Sequence, residues 1–496
     1  TTSNNKSCLS YGCPFNRGKC LGGSTSINHM LYTRGNRKDF DYNLPGWSWQ
    51  DLKPYFLRYE GLQDLDRLPS SSKPYHNASG LMKLSLFDHT NSPWHSRIIE
   101  GYRHLNLPLN EDVNGESQIG VGFIPGYVHG GERMSTARAF LARDDVKLSL
   151  KVAKHALCTG VIIDDNNVAR GVKVVQRPSK KTLLVYARKE VILSAGTVGT
   201  PHILMLSGVG PATHLKEMGI PIRADLPVGL DISDHIIAYM FVLVDRSSGL
   251  AGDLATIAEK ARDLTQYATR LKGPLTSIGL VDIAMFANTH CYNSSAARLE
   301  VGRGCELPNL QIIHVYLDRY VFLLARSLVE RRASFAAQVV DQLEAVSSEY
   351  AVLIMSPINL VPRSRGSIRL ASKNPLKPPA IFPNFLSDAR DVDEALRSIS
   401  LVEDLLESPA FRSQGARILH LELAGCPRYE EDREGYWRCY VRHLTAPGLH
   451  AAGSAALGRV LDARLRVRGV ARLRVADASA MPSVPRGSCS KLIESV

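Results

Sequence analysis

The distribution of apolar residues predicts two strands and a helix near the middle of the chain. Residues 183–187 and 190–194 are rich in Val, Leu and Ile, and a polar Arg-Lys pair lies between them, which predicts two strands joined by a turn. The next apolar run predicts a short helix that opens at Pro201 and ends at Gly208 and Pro211. On these residues alone, the segment is a strand-to-helix connection that implies no ligand.

Farther along the chain, the pattern predicts an antiparallel sheet covered by helices. Residues 351–355 and 366–370 have the composition of strands, and the Arg-rich stretch between them supplies a turn. Residues 391–406 carry apolar side chains at helical spacing and acids near their start, as an amphipathic helix does. The region from 236 to 445 contains no nucleotide-binding motif.

Length and composition predict a globular protein of two or three domains. The chain has 496 residues, of which 44% are hydrophobic. It contains no run of about 18 apolar residues, so no membrane span is predicted. The first residues lack the charged start and apolar middle of a signal peptide.

The net charge of +12 does not favour a nucleic-acid partner. Nucleic-acid binding favours basic stripes interleaved with aromatic residues. The most basic segment, residues 466–475, instead alternates Arg with Val or Leu, which predicts a strand with one buried face. We expect most of the charge to be solvated surface.

Nine cysteines and three glycosylation triplets favour an extracellular location. The cysteine spacing fits no CxxC zinc pattern, so no metal site is predicted. Cys291 and Cys305 bracket a polar stretch, and a local disulfide between them is expected in an oxidising compartment. The triplets begin at Asn5, Asn77 and Asn293.

A glycine pair early in the chain is the first candidate for a binding site. Gly22 and Gly23 are followed by Ser24, Thr25 and Ser26, which lets the backbone approach a bulky ligand and direct N–H groups and hydroxyls at it. Such a loop fits a phosphate or a flavin ring. The glycine pair alone is equally consistent with an ordinary turn.

Three segments in order, residues 17–28, 193–211 and 450–488, together resemble one family. The first is similar to the signature RGKxLGGSSxxN of the glucose–methanol–choline oxidoreductases, flavoproteins that oxidise alcohols with FAD. The second resembles that family's signature ending SGxGP, and the third its carboxyl end HPxGTCxMG…LRVxGxxxLRVxDxSxMP. Residues 225–235 resemble its PVGxNLQDH segment, with Asp231 and Ser233 in place of Asn and Gln.

This resemblance implies an α/β plus α+β fold. An FAD-binding doubly wound, Rossmann-like domain would comprise residues 1–45, 146–235 and 446–496. It would be interleaved with an antiparallel-sheet substrate domain comprising residues 46–145 and 236–445. The sequence contains no GxGxxG, so we expect the FAD domain here to lack its amino-terminal βαβ unit.

The resemblance also implies which residues bind FAD and which perform the chemistry. The expected cofactor-binding residues are Gly22, Gly23, Ser24, Asn28, Cys158, Ala476 and Asp477. Oxidation of an alcohol needs a base near the flavin N5, and His450 occupies the family's position for it. His443 is the alternative if this registration is wrong. Ser490 falls at the second catalytic position, where the family has His or Asn, and a hydroxyl cannot replace an imidazole as a proton acceptor.

The function predicted by resemblance is FAD-dependent oxidation of CH–OH groups in alcohols, sugars or sterols, with oxygen or a quinone as electron acceptor. The pattern is most similar to the arthropod branch of the family, whose substrates include glucose and ecdysteroids. The competing hypothesis is a catalytically inactive or truncated relative with a binding or structural role, because Ser490 departs from the family and the dinucleotide loop is missing.

Overall fold

The computed structural model describes residue 8 and residues 13–87, 93–245, 250–300, 302–317 and 335–487, without the side chains of 250–257 and 260. The α-helices of this part of the chain are α1 (Trp49–Tyr59), α2 (Pro93–His104), α3 (Asp144–Lys147), α4 (Gly196–Leu206), α5 (Ala212–Glu217), α6 (Leu250–Arg270), α7 (Ala337–Ser347), α8 (Ala389–Leu406), α9 (Pro409–Arg412) and α10 (Arg433–Leu444).

The strands are mostly short. Up to residue 245 they are β1 (Glu60–Leu62), β2 (Met82–Leu84), β3 (Gly120–Phe123), β4 (Val128–His129), β5 (Glu132–Arg133), β6 (Ala156–Ile163), β7 (Ala169–Gln176), β8 (Thr182–Tyr186), β9 (Val191–Leu193), β10 (Val209–Gly210), β11 (Ala224–Asp225), β12 (Leu230–Ile232), β13 (Ile236–Ala238) and β14 (Met240–Asp245). Beyond it they are β15 (Ile283–Ala287), β16 (Tyr292–Asn293), β17 (Arg298–Leu299), β18 (Leu310–Leu317), β19 (Tyr350–Asn359), β20 (Gly366–Arg369), β21 (Ala380–Phe382), β22 (Arg417–Ile418), β23 (Thr445–Pro447) and β24 (Leu473–Val475).

An eight-stranded antiparallel sheet forms the larger part of the fold. Its main path is β22-β14-β19-β18-β15-β3, and β13 joins it by pairing with both β19 and β23. Helices α7 and α8 pack on β19, and α2 and α10 pack on α8. The predicted antiparallel sheet covered by helices is therefore confirmed.

The strands and the helix predicted in this region are confirmed, with one difference in connectivity. The strand predicted at 351–355 extends over all of β19, and the one at 366–370 is β20, which belongs to a separate sheet with β12 and β21. The helix predicted at 391–406 is α8. Asp388 caps its amino end by accepting a hydrogen bond from the Arg390 N–H at 3.0 Å.

A smaller lobe is built around two parallel strands. β9 pairs in parallel with β24, and β6, β7 and β8 form an antiparallel sheet beside them. The strands predicted at 183–187 and 190–194 are thus present as β8 and β9, but the turn between them joins two different sheets. Parallel pairing also places the carboxyl ends of β9 and β24 side by side.

The predicted start of helix α4 at Pro201 is wrong, because the helix begins five residues earlier at Gly196. A proline within a helix removes one N–H donor and leaves the carbonyl four residues earlier without its helical partner. That carbonyl belongs to Thr197, and the Ser454 hydroxyl donates to it at 2.7 Å. A residue far away in sequence therefore replaces the missing bond and allows the proline inside the helix.

The strand predicted at 466–475 is also mostly wrong. Only Leu473–Val475 forms a strand, because Gly469 and Arg472 adopt positive φ angles of 75° and 57° and turn the chain. The predicted burial on one side is nevertheless present, since Val467, Val470 and Leu473 are buried.

Two large hydrophobic cores correspond to the two parts of the fold. One lies between the eight-stranded sheet and its helices, and the other surrounds β9, β24 and α4. The second core also includes Leu52 and Phe56 of α1. The exact domain boundaries stay a prediction.

Within the described ranges, three disulfides join Cys8 to Cys13, Cys291 to Cys305, and Cys426 to Cys439. The predicted Cys291–Cys305 bond is confirmed, whereas the other two were not predicted. None of the described helices is long and apolar enough to cross a membrane.

Candidate active site

The glycine-rich loop is held by its own side chains. The Gly18 N–H donates to Ser24 Oγ at 3.2 Å, and the Thr25 hydroxyl donates to the Gly22 carbonyl at 2.5 Å. Arg133 donates to the Asn28 side-chain oxygen at 2.8 Å. The polar groups of Ser24 and Asn28 therefore fix the shape of the loop.

A buried charge network anchors the chain just after this loop. The Arg34 guanidinium and the Tyr32 hydroxyl both donate to the Glu60 carboxylate. His76 lies between the carboxylates of Glu60, at 2.5 Å, and Asp112, at 3.0 Å. Although burial opposes it, the hydrogen bonds with these two carboxylates raise the pKa of His76 above its usual value.

Two glycines leave room for a large ligand. Gly23 has a φ of 54° and Gly196 a φ of 76°, and a side chain added at either would meet nothing within 4 Å. Gly196 begins α4 directly after β9, and Ser194 and Ala195 are exposed there. Ligands of open α/β sheets bind at the carboxyl ends of the strands. The glycine loop and this sheet edge therefore fit a bound dinucleotide such as FAD.

Asp477 lies at the same sheet edge, directly after β24. One carboxylate oxygen accepts from the Gly196 N–H at 2.9 Å and from the Thr200 hydroxyl at 2.5 Å, and the other accepts from Ser479. The Ala476 N–H donates to the Leu193 carbonyl at 2.9 Å. Ala476 therefore joins the end of β24 to the end of β9, and Asp477 joins it to the start of α4.

Helix α4 also positions the segment that begins at His450. The Thr197 hydroxyl donates to the Ala451 carbonyl at 2.5 Å, and the buried Ser454 hydroxyl donates to the Thr197 carbonyl. These two bonds hold residues 451–454 against the first turn of the helix. The partly buried His450 lies immediately before them.

Two consecutive residues hold His450 from the other side. Its backbone N–H donates to Asp234 Oδ1 at 2.7 Å. Its ring Nδ1 lies 2.9 Å from the Nδ1 of His235, with the two rings edge to face at 87°. His235 is fully buried, and its Nε2 lies 3.0 Å from the Pro485 carbonyl oxygen.

The residues that flank the glycine loop act electrostatically on His450. Desolvation, followed by the charges of Arg17 and His29, lowers the pKa of His450 to about 4. Arg17 also donates to the Leu449 carbonyl at 3.1 Å. The loop and His450 therefore belong to one site, although more than 400 residues of sequence separate them.

The two partners of His450 have strongly perturbed pKa values. Burial, followed by the proximity of His450, holds the pKa of His235 well below its usual range. Burial raises the pKa of Asp234 to about 7 despite Arg17 and three backbone N–H donors nearby. Asp234 Oδ2 has no hydrogen-bond partner within the described residues. Near neutral pH the site thus contains two neutral imidazoles and a carboxyl close to its midpoint.

The remaining predicted site residues lie elsewhere. Cys158 is on β6, where burial raises the pKa of its thiol. Ser490 lies outside the described residues. His443, the alternative base, lies in the last turn of α10 with its ring beside the Cys426–Cys439 disulfide. Cys426, Cys439 and His443 are the only group of three potential metal ligands among the described residues, and a disulfide joins the two sulfurs.

Sequence reasoning missed Asp234, His235 and Arg17 as members of the site. The first two end the segment 225–235, which was recognised, but no role was assigned to them. Arg17 is the first residue of the loop signature. Their positions within recognised motifs were the available signal.

Comparison with known proteins identifies the family of this chain. Two models of the GMC oxidoreductases match the sequence, one over residues 6–237 and the other over residues 362–494. The chain belongs to the GMC oxidoreductase family. It is therefore an FAD-dependent oxidoreductase that acts on CH–OH groups, and nothing in the comparisons favours the inactive alternative.

Individual relatives agree with this GMC assignment. The ecdysone oxidase of Bombyx mori is 30% identical over 480 residues, covering 95% of this chain and 67% of the relative. The glucose dehydrogenase [FAD, quinone] of Drosophila melanogaster is 32% identical over 496 residues, covering 97% and 73%. A formate oxidase variant from Aspergillus oryzae has the same fold, with a TM-score of 0.81 at 23% identity over 97% of this chain and 83% of that one.

Proposed function

We propose that this GMC oxidoreductase oxidises a secondary or primary alcohol group of a sterol or sugar, with His450 accepting the hydroxyl proton. The observation that carries the proposal is the convergence of three distant segments on this ring. Arg17 and His29 act on it electrostatically from the ends of the glycine loop, and His235 contacts it from the segment between β12 and β13. Asp234 and Thr197 hold the backbone at and beside His450.

The FAD, when bound, supplies the N5 atom that accepts hydride from the substrate carbon. Gly22, Gly23, Ser24 and Asn28 would hold it through the preformed loop. Cys158, Ala476 and Asp477 complete the proposed binding residues. Asp477 would act through the backbone it fixes, because its carboxylate already accepts from Gly196, Thr200 and Ser479.

His450 is suited to accept a proton because it is neutral throughout the physiological range. Its pKa of about 4 keeps the ring in the basic form but also makes it a weak base. Asp234, whose carboxyl has a pKa of about 7, accepts from the backbone N–H of His450 and so holds the main chain that carries the ring. Ser490 would complete the site with a hydroxyl.

The names of the relatives support sterols and sugars as the first substrates to test. The two insect proteins are an ecdysone oxidase and a glucose dehydrogenase that uses a quinone. A quinone is therefore the preferred electron acceptor for this chain, and oxygen is the alternative.

Three disulfides among the described residues support an oxidising compartment, since disulfides are unusual in a cytosolic enzyme. We therefore place the protein outside the cell.

The test is anaerobic reduction of the FAD-reconstituted protein. Ecdysone, glucose, choline and a simple aliphatic alcohol are mixed with it separately, and flavin absorbance and the carbonyl product are measured. The proposal expects bleaching and an equivalent amount of carbonyl product with at least one sterol or sugar. Failure of the protein to retain FAD, or bleaching by neither ecdysone nor glucose, would contradict it.

A further inference from the structure

We propose that His235 is a positioning residue that places the proton of neutral His450 on Nδ1, so that Nε2 is the nitrogen that accepts the substrate proton. The inference rests on the proposed role of His450 as the base. It concerns which atom of that ring is basic and what makes it so.

The first step is the tautomer of His235. A carbonyl oxygen can only accept a hydrogen bond, so the Nε2 that lies 3.0 Å from the Pro485 carbonyl must carry the proton. The Leu360 carbonyl is a second acceptor for this ring. A neutral imidazole has a single N–H, and the buried His235 is neutral. Its Nδ1 is therefore a hydrogen-bond acceptor.

The tautomer of His235 determines the tautomer of His450. The two Nδ1 atoms are 2.9 Å apart, which is a hydrogen-bonding distance, and one of them must donate. Because His235 Nδ1 carries a lone pair, the donor is His450 Nδ1. The lone pair of His450 is then on Nε2. A buried carbonyl thus sets the tautomer of the second ring through the first.

Backbone pairing fixes the facing positions of the two rings. Ser233 and Ala452 form an antiparallel bridge, with mutual N–H to carbonyl distances of 3.1 and 2.8 Å. On the other side of both histidines, Ile236 pairs with Pro447 where β13 meets β23. Residues 235 and 450 therefore lie between two fixed backbone pairings. The Gly448 N–H also donates to the His235 carbonyl at 2.8 Å. The contact between the rings is therefore built into the fold.

Asp234 and His235 hold different parts of His450. Asp234 accepts from the backbone N–H of His450 and so holds the main chain. His235 holds the ring. The charged or titratable groups that act on His450 from the other segments are Arg17 and His29, and their charges lower its pKa.

The experiment is nitrogen NMR of the full chain labelled with ¹⁵N-histidine, with the His450 signals assigned by their loss in His450→Gln. The expected wild-type spectrum at neutral pH shows His450 protonated on Nδ1 and unprotonated on Nε2. A wild-type His450 that carries its proton on Nε2 would overturn the inference, whatever its catalytic role.

Two variants with different acceptor capacity extend the test. His235→Asn keeps an oxygen acceptor near the position of Nδ1, whereas His235→Leu has similar bulk and no acceptor. In the Leu variant the proton should move to Nε2, and the flavin reduction rate should fall by about 10²-fold or more at unchanged substrate affinity, which is the scale of general-base catalysis. The Asn variant should retain the Nδ1–H form and recover most of that rate.

Different results refute the role of His235 and the role of His450. An Nδ1–H tautomer in both the wild type and the Leu variant would overturn the role of His235. Unchanged flavin reduction in His450→Gln would instead overturn the proposed function and, with it, the catalytic meaning of the tautomer.

Discussion

Ser454→Ala should destabilise the protein because it leaves a buried carbonyl without a partner. Pro201 deprives the Thr197 carbonyl of its helical N–H, and the Ser454 hydroxyl, which is 0% exposed, donates to it at 2.7 Å. An unsatisfied buried carbonyl costs about 1–3 kcal/mol. We therefore expect the free energy of unfolding to fall by about 1–3 kcal/mol in Ser454→Ala.

A double-mutant cycle separates this mechanism from a simple packing loss. Pro201→Ala restores an N–H that can donate to the Thr197 carbonyl within the helix. In that background Ser454→Ala should cost much less, which gives a coupling energy of about 1 kcal/mol or more. Urea unfolding followed by tryptophan fluorescence measures all four proteins, and hydrogen exchange shows whether the amide introduced at position 201 is protected.

Ser408 provides a matched control. It is also 0% exposed, but its hydroxyl has no hydrogen-bond partner in the described part of the chain. Ser408→Ala should therefore have little effect on stability. Equal losses in Ser408→Ala and Ser454→Ala, or additive effects of Ser454→Ala and Pro201→Ala, would refute the reasoning.

Three further predictions concern charge and modification. The rate of flavin reduction, measured by stopped flow, should persist to acidic pH and fall only as the pH drops through about 4, where His450 gains a proton. The charge of Arg17 lowers the pKa of His450, so Arg17→Gln should move this loss of rate to higher pH. The raised pKa of His76 adds stability that is complete below the pKa of the unfolded state and is lost as the pH rises through the pKa of the folded state. The urea midpoint should therefore fall with rising pH in the wild type, and this dependence should disappear in His76→Gln. In a secreted preparation, mass spectrometry should find glycan on the exposed Asn293 and none on Asn77, whose side-chain N–H donates to the Leu57 carbonyl at 2.7 Å; a glycan on Asn77 would contradict the structure.

The sequence predicted local elements best where the pattern was long and self-consistent. The helix at 391–406 and the strands at 351–355 and 366–370 have clear periods, so their existence did not depend on distant partners. The sheet that each strand joins, in contrast, did depend on distant partners. The turn after 183–187 therefore resembled a hairpin, although it connects two sheets.

The errors arose where a distant residue altered a local rule. Proline usually begins a helix, but Ser454 satisfies the carbonyl that Pro201 releases, and α4 begins earlier. Alternation of Arg and Val predicted a strand at 466–475, but residues with positive φ turn the chain there. Neither compensation can be recognised from the local pattern.

The candidate site was predicted from motifs rather than from periodicity. Motif order identified His450 and the glycine loop. It did not identify His235, because that role depends on the antiparallel register of Ser233 and Ala452 and on the position of the Pro485 carbonyl. Contacts between segments that lie more than 200 residues apart become visible only in the folded chain.

The most direct test of the central claim is the rate of flavin reduction in three proteins reconstituted with FAD. Wild type, His450→Gln and His443→Gln are mixed anaerobically at neutral pH with the alcohol that bleaches the wild type. We predict that His450→Gln is slower by about 10²-fold or more, on the scale of a lost general base, and that His443→Gln is close to the wild type. An unchanged rate in His450→Gln, or a comparable loss in His443→Gln alone, would contradict the assignment of His450 as the base.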